Sequence, residues 1–532
     1  MELPRRNYDV VVIGAGFAGC LMAMICRRLG KSVLLVERGV HPRFAIGEST
    51  TPLTNLILEE IGREFSLDFL RDLSSWGKWQ ARYPKLPCGL KRGFSFFHHE
   101  RGQAFRRRRD HQSELLVAAS PSDALGDTHW YRESLDQFLV EKAKELGVDY
   151  VDSTSMDELK ESPEHVRLVL DRRGERLRVD TGFLIDGSGP RGALFRILSL
   201  GEESLEGLPS TRAIFGHYRD LPRCAQRAEF QLAQTSPYPI DDAAVHHLFE
   251  GGWFWTLRFN NRISSVGVVA RSDYSGWSAG EDVSSCWQQM LAEFPTIGGI
   301  VESARSVGEL KGIDQVPFCS RRVSSSRWAL LPSAAASIDP LFSTGFPLTL
   351  LGIVRLGLIF RESWGKEDFC GRLQAYSRKT LVEARRVARL VGLAYRVMGR
   401  PRLFRAVSSL YFTAVSFEET KRRLRQVPID SAFLLGDHAD YALRIDRCLA
   451  VLETMLDREI RSEEGEIGVE RVIQEAVDPF NVIGIGAAPC MNWYPVEIDA
   501  LFASRGKLDA SHREIRSMLL SAGVDPEMLA GF

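Results

Sequence analysis

Tyr8-Asp9-Val10-Val11-Val12-Ile13-Gly14-Ala15-Gly16-Phe17-Ala18-Gly19, with Glu37 beyond it, is the stretch that decides the fold of this chain. Residues 8–13 are a short apolar, β-branched run, the pattern of a strand buried on both faces. Three glycines follow at once, each with its own task. Gly14 permits a tight turn, Gly16 lets backbone approach a pyrophosphate, and Gly19 allows a helix to pack closely on the strand. Residues 18–29 read as that helix, whose amino-terminal partial charge suits phosphate. Residues 32–36 form the next strand, and Glu37 at its end is placed to accept ribose hydroxyls. Because strand, glycine turn, helix, strand and acid occur together, the unit is a dinucleotide-binding βαβ rather than a lone glycine turn. Phe17, Ala18 and Arg38 flank these positions and are assigned to the same site.

No second fingerprint follows. Gly484-x-Gly486 lacks a third glycine and a βαβ context, and reads as a turn. One fingerprint with a late strand-loop-helix segment over 328–351 suits a single FAD, with no nicotinamide domain. Reduced flavin is then expected from a separate NAD(P)H-dependent flavin reductase.

The bulk properties set limits. The 532 residues allow an FAD domain with a sizeable addition. A net charge of −1 provides no global field to recruit nucleic acid or an anionic membrane. Nine cysteines without a C-x-x-C pair give neither a zinc site nor a disulfide frame, so no metal is expected. The amino terminus runs directly into a strand, so no signal peptide is expected. The most apolar late stretch, 346–360, is interrupted by Arg355 and too short for a bilayer. A cytoplasmic protein is expected.

Further along, 53–61 and 134–146 read as helices, and 89–97 and 148–151 as strands. Residues 166–170 and 176–180 suggest a hairpin around Asp171-Arg172-Arg173-Gly174, and 183–186 returns to the first sheet. Short β-like runs dominate 213–270, suiting a second sheet over a substrate cavity. Residues 328–331 read as a last buried strand, and from 350 to 474 the pattern is mainly helical. The tail, 478–532, mixes turns with a helix near 513–520. The expected organisation is an FAD-binding domain with an interleaved substrate-side sheet over 1–350 and a mainly helical region over 351–532. The fold class is α/β, a glutathione-reductase-like FAD-binding Rossmann fold.

His41-Pro42-Arg43-Phe44-x-Ile46-Gly47-Glu48-Ser49-x-x-Pro52 resembles the flavin-dependent halogenases. Four further blocks in the same order carry the likeness: Gly89-Leu90-Lys91-Arg92, Tyr131-Arg132, Phe249-Glu250-Gly251-Gly252-Trp253, and residues 338–343. The likeness covers roughly 8–350 and takes in family members that act on phenylpyrroles. It implies that Arg43, Ile46, Gly47, Glu48, Ser49, Arg132, Asp339 and Gly345 lie about the flavin. It implies that halide sits at Ser343-Thr344-Gly345, where exposed backbone amides can hold a small anion. Lys91 resembles the lysine that captures or hydrogen-bonds hypohalous acid on its way to the substrate. Trp253 and Trp255 resemble the tryptophans that keep substrate off the flavin, although alternating aromatics on a strand also pack as core.

The departures are informative. Leu257-Arg258 replaces the Ile-Pro of the tryptophan-bearing signature. Leu331-Pro332-Ser333 stands where many flavoproteins carry Gly-Asp. Phe342 stands where tryptophan halogenases carry a catalytic glutamate, which argues against free tryptophan as substrate. The expected substrate is a phenol, resorcinol or phenylpyrrole, halogenated with FADH2, oxygen and chloride or bromide; an aromatic hydroxylase on the same fold is the alternative. Phe342 and His247 are assigned to the substrate side. The pairs His98-His99 and His246-His247 point to opposite faces of their strands and do not suggest a metal. Arg106-Arg107-Arg108-Arg109 reads as a solvated loop face, with docking of an acidic carrier protein as the sharper alternative. Arg385, Arg386 and Arg389 read as the polar face of a helix.

Overall fold

The computed structural model describes residues 5–277, 282–458, 462–486 and 492–532. Strand β1 (Asn7–Ile13), helix α1 (Phe17–Arg28) and strand β2 (Val33–Val36) form the expected unit, with Val10 opposite Val33 and Ile13 opposite Val36 in parallel. Helix α2 (Pro52–Glu64) starts at Thr51, whose side chain accepts the N–H of Thr54.

The single strand expected over 89–97 is two strands. β3 (Cys88–Lys91) turns at Arg92 into β4 (Gly93–His98). β4 pairs with β5 (Glu114–Ala118), whereas β3 pairs antiparallel with β6 (Asp127–Trp130) as a separate ribbon. Two glycines make the switch possible. A Cβ on Gly89 would lie 1.8 Å from the Arg258 carbonyl oxygen, and one on Gly93 2.2 Å from that of Val117.

Helix α3 (Arg132–Glu145) leads to β7 (Asp149–Val151), β8 (Thr154–Glu161), β9 (Val166–Arg172) and β10 (Glu175–Asp186). The hairpin forms between β9 and β10, with Arg173 and Gly174 both at positive φ, as a tight two-residue turn requires. β10 unites two segments that read separately in the sequence. Its first half pairs antiparallel with β9, and its second half runs parallel to β1.

The large sheet takes in β11 (Thr211–Arg219), β12 (Ala244–Phe249), β13 (Gly252–Arg258), β14 (Ile263–Arg271) and β15 (Arg305–Ile313). β16 (Phe318–Cys319), β17 (Trp328–Leu330) and β18 (Ala336–Ser337) follow; β17 adds to β10, and the other two pair together. The tail supplies β19 (Trp493–Tyr494), parallel to β5, so the order of the large sheet is β15-β11-β14-β13-β12-β4-β5-β19.

The helical region comprises α4 (Gly345–Ser363), α5 (Phe369–Val397), α6 (Pro401–Arg423), α7 (Ala439–Asp457), α8 (Glu463–Val477) and α9 (His512–Ser521). The boundary expected at 350 falls inside α4. One apolar core runs from Tyr8 to Leu529 and includes residues of both regions, so packing does not break there. A second cluster, with Phe97, Phe230 and Trp287, covers the other face of the large sheet. Arg385 and Arg389 lie on the polar face of α5 as read, where they pair with Glu203 and Glu453.

Arg355, the charge that interrupts the apolar stretch of α4, meets Glu383 of α5 in a bidentate pair at 2.7 Å for both bonds. Both side chains are buried, and Glu383 also accepts the N–H of Phe433. Arg355→Ala leaves that carboxylate without its counter-charge. We expect a loss of about 3–5 kcal/mol, read from the urea midpoint. Among the described residues no helix is long and apolar enough to cross a membrane.

Candidate active site

The glycine turn builds one end of the site. Gly14, at φ +92°, donates its N–H to the Val36 carbonyl at 2.7 Å and ties the turn to β2. No side chain caps α1 at Gly16, so its first amides stay available. The guanidinium groups of Arg132 and Arg43 approach the same point, 3.5 and 3.8 Å from where a Gly16 Cβ would stand. Glu37 accepts the N–H groups of Ala15 and Gly39 at 2.9 and 2.8 Å, and a 3.0 Å bond from Arg43. Burial raises its carboxyl, but Arg43 and the two amides outweigh that and hold it below the usual range.

Arg132 donates to the carbonyls of Ile46 and Gly47 at 3.0 and 2.9 Å. It is fixed by Asp136 through two 2.8 Å bonds, and its guanidinium lies 5.0 Å from the Phe17 ring centre. It therefore pins the 46–47 loop against the start of α1. Arg38, two residues past the end of β2 and next to Glu37, is exposed.

Beyond the turn lies a cavity of about 380 Å³, mostly apolar. Residues 46–49, Phe17 and Arg132 bound it on one side; Phe215, His246, Trp253 and Trp255 form a wall; residues 336–340 and 343–346 close it. Trp255 donates its indole N–H to Ser265 at 3.1 Å, and a Cβ on Gly267 would meet that indole at 2.3 Å. Gly267 thus makes room for the wall. Pro332 and Ser333, in the place of the usual Gly-Asp, also line the cavity, and Gly352 of α4 packs flat against Pro332.

Ser343, Thr344 and Gly345 all face the cavity. Ser343 sits in the left-handed region at φ +54°, closing a short 3₁₀ turn over Pro340–Phe342. Such strain in a non-glycine residue is kept where its surroundings enforce it. The turn hands over to α4 at Gly345, where open space surrounds the backbone. The 19-residue α4 therefore presents its positive end to the cavity, a suitable seat for an anion. Asp339 is buried, accepts the N–H of Leu341 and the hydroxyl of Tyr395 at 2.9 and 2.8 Å, and is raised by burial to about 6.

Lys91 is wholly buried on β3. Its Nζ donates to Ser49 Oγ at 3.0 Å and to the Thr50 carbonyl at 2.6 Å, and lies 3.8 Å from the Phe94 ring centre. Ser49 borders the cavity, so Lys91 stands one side chain behind it. Burial lowers the amine to about 7, against the charge of Asp127, which raises it. Asp127 is itself raised to about 8 by burial, with Lys91 lowering it. The two titrate as a pair.

The sign of the linkage is clear for Lys91. Between about pH 7 and the 10.5 of an exposed lysine, the unfolded chain binds a proton that the folded one does not. Stability therefore rises with pH across that window and loses this contribution as pH falls through about 7. Lys91→Met is expected to flatten the rise, measured as the difference in urea midpoint between the two proteins over that range.

Three assignments need correction. His247 faces away from the cavity, into the second core, where its Nδ1 lies 2.9 Å from His99 Nε2 beside Phe97 and Phe230. Alternation along β12 gives the cavity His246 instead, and that was the available signal. Phe342 does not border the cavity; it stacks on Tyr411 at 4.9 Å, with Phe404 and Phe412 of α6 around it. The arginine run is not uniformly solvated. Arg107 is buried against Glu114, Arg108 pairs with Asp110 in solvent, and Arg106 and Arg109 are exposed.

The site also includes His217, which no local pattern announced. Glu48 is held by His217 Nε2 at 2.9 Å, and its other oxygen has no partner. The sequence places these two 169 positions apart.

These residues fit an FAD. A free helix amino terminus and two guanidinium groups converge where a diphosphate would lie, and the apolar cavity between 46–49 and 338–346 suits a flat ring. The FAD dependent oxidoreductase family matches residues 9–329. Tetracycline 7-halogenase of Kitasatospora aureofaciens is 29% identical over 380 residues, 70% of this chain and 66% of that protein. Monodechloroaminopyrrolnitrin halogenase PrnC of Pseudomonas fluorescens is 29% identical over 383 residues, 69% of this chain and 64% of that one. The chain thus spans somewhat under two thirds of the length of these relatives. The halogenase PltM, solved with phloroglucinol and FAD, superposes with a TM-score of 0.79 at 21% identity, over 90% of this chain and 98% of that one, and shares the fold. The chain belongs to the FAD-dependent oxidoreductase family, and the relatives it resembles in sequence are halogenases.

Proposed function

We propose that this protein halogenates a small electron-rich aromatic: a phenol, resorcinol or phenylpyrrole. The observation that carries the reading is the placement of Lys91. It is fully buried, and its Nζ is held by Ser49, which borders the same cavity as Ser343, Thr344 and Gly345. Reduced FAD, when bound, would supply hypohalous acid from oxygen and a halide. The amides of Thr344 and Gly345 at the start of α4 would hold the chloride or bromide. Glu37, Arg43 and Arg132 would anchor the nucleotide. The Lys91 ammonium would donate a hydrogen bond to the hypohalous oxygen as it passes Ser49. Trp253 and Trp255 would exclude the aromatic ring from the flavin. The named substrates of the relatives, a tetracycline and a monodechloroaminopyrrolnitrin, are both activated rings, in keeping with Phe342 in place of a carboxylate. Reduced flavin would come from a separate reductase.

The test is a mass-spectrometric assay with FAD, NADH, a flavin reductase and a panel of phenols, resorcinols and phenylpyrroles, run in chloride and in bromide. The expected products gain one halogen mass that follows the halide supplied. A product heavier by one oxygen and indifferent to halide would replace this reading with hydroxylation.

A further inference from the structure

Around Lys91, among residues that do not line the cavity, buried polar atoms of Asp127 and Tyr411 lack partners. Asp127 lies directly opposite Lys91 in the β3–β6 ribbon, and such cross-strand partners project to one face. Its Oδ1 accepts the Asn55 amide at 2.8 Å, while Oδ2 has no partner. On α6, the hydroxyl of Tyr411 is likewise buried and unpartnered. Tyr411 feels the charge of Asp127, which with burial pushes its hydroxyl up. Its neighbour Phe412 meets Phe94, the ring under Lys91 Nζ, at 5.4 Å. Buried polar groups are nearly always satisfied, so an acceptor and a hydroxyl that share this buried region and are both left open call for a ligand or water.

We propose that this group receives the ring hydroxyl of a phenolic substrate, with Asp127 as the catalytic base and Tyr411 as the donor to the phenolic oxygen. This rests on the halogenase reading. The complement favours a phenol over a pyrrole, because a phenolic hydroxyl both donates and accepts, whereas a pyrrole N–H only donates. Asp127 and Tyr411 are almost wholly buried, so both would be shielded from solvent once the ring is bound.

The proton and electron balance is complete. Asp127 takes the O–H proton, and the ring's electron pair forms the carbon–halogen bond as the halogen–oxygen bond breaks. The departing hydroxide takes a proton from Lys91 and leaves as water. The ring carbon then releases its proton to Lys91, and Asp127 returns the first proton to the oxygen. The ring is oxidised and the electrophilic halogen reduced, with no other reactant. A base that titrates near neutrality, as the Lys91–Asp127 pair does, suits such an exchange.

The test measures binding of resorcinol and of 1,3-dimethoxybenzene to the FAD-loaded protein. The ether keeps the oxygens and removes the protons. Wild type is expected to prefer resorcinol at least about 10-fold. Asp127→Asn should bring the preference to within about two-fold, and Tyr411→Phe, which keeps the ring stacked on Phe342, should lower resorcinol affinity several-fold. Equal affinity for both compounds in wild type, or a preference unchanged in both variants, overturns the assignment. The two readings fail separately. A halide-dependent product without the preference removes the Asp127 site alone, whereas the preference without a halide-dependent product removes halogenation.

Discussion

Lys91→Ala is expected to cut halide-dependent product by about 10²–10⁴-fold, the range of a positioned proton donor, while the protein keeps its FAD. The residues that fit the cofactor are elsewhere, at the glycine turn, Glu37, Arg43 and Arg132. The Lys91 ammonium instead makes its two hydrogen bonds to Ser49 and Thr50 and faces Asp127 across the ribbon. Its removal leaves Arg423 as the cation acting on Asp127, whose burial already raises its carboxyl, and Asp127 responds by taking up a proton rather than by unfolding the ribbon. Fold and cofactor should therefore survive while delivery of the hypohalous acid fails. Flavin absorbance and halogenated product, measured on one preparation, check both halves. Product retained at wild-type level would remove Lys91 from the chemistry.

Gly19→Ala is expected to abolish FAD retention by breaking the first βαβ unit. The new Cβ would stand 1.8 Å from the Gly14 carbonyl oxygen and 3.1 Å from its carbon, both backbone atoms of the turn. Neither can yield without moving β1 or α1, and overpacking of this kind costs at least about 1–3 kcal/mol. Gly16→Ala is the informative contrast. Its Cβ would meet only side-chain ends, at 3.5 Å or more, so the urea midpoint should hold while FAD affinity falls. Urea unfolding and flavin titration on the two variants separate packing from cofactor approach. A Gly19→Ala protein that binds FAD normally would contradict the packing role.

The two glycines also show where the sequence is legible. Turn, helix start and strand end are local, so the βαβ unit, the hairpin at Arg173-Gly174 and the long helices after Gly345 could be read from contiguous residues. The family blocks likewise lie in short runs, which is why Lys91 and Ser343-Thr344-Gly345 could be singled out without coordinates. The partners of these residues were not legible. Nothing near Lys91 in the chain announces that β3 leaves β4 at Arg92 to pair with β6, which sets Asp127 opposite it. His217 reaches Glu48 across 169 positions, and α6 brings Phe404, Tyr411 and Phe412 onto Phe342, turning an assumed substrate contact into core. By itself the sequence determined the fold class and the dinucleotide turn, because propensity and turn chemistry act over a few residues, whereas Lys91 was singled out by its resemblance to a family block. Only the tertiary structure decided which face of each strand meets the cavity and which charges share a buried space, because those depend on strand pairing and helix packing between segments hundreds of residues apart.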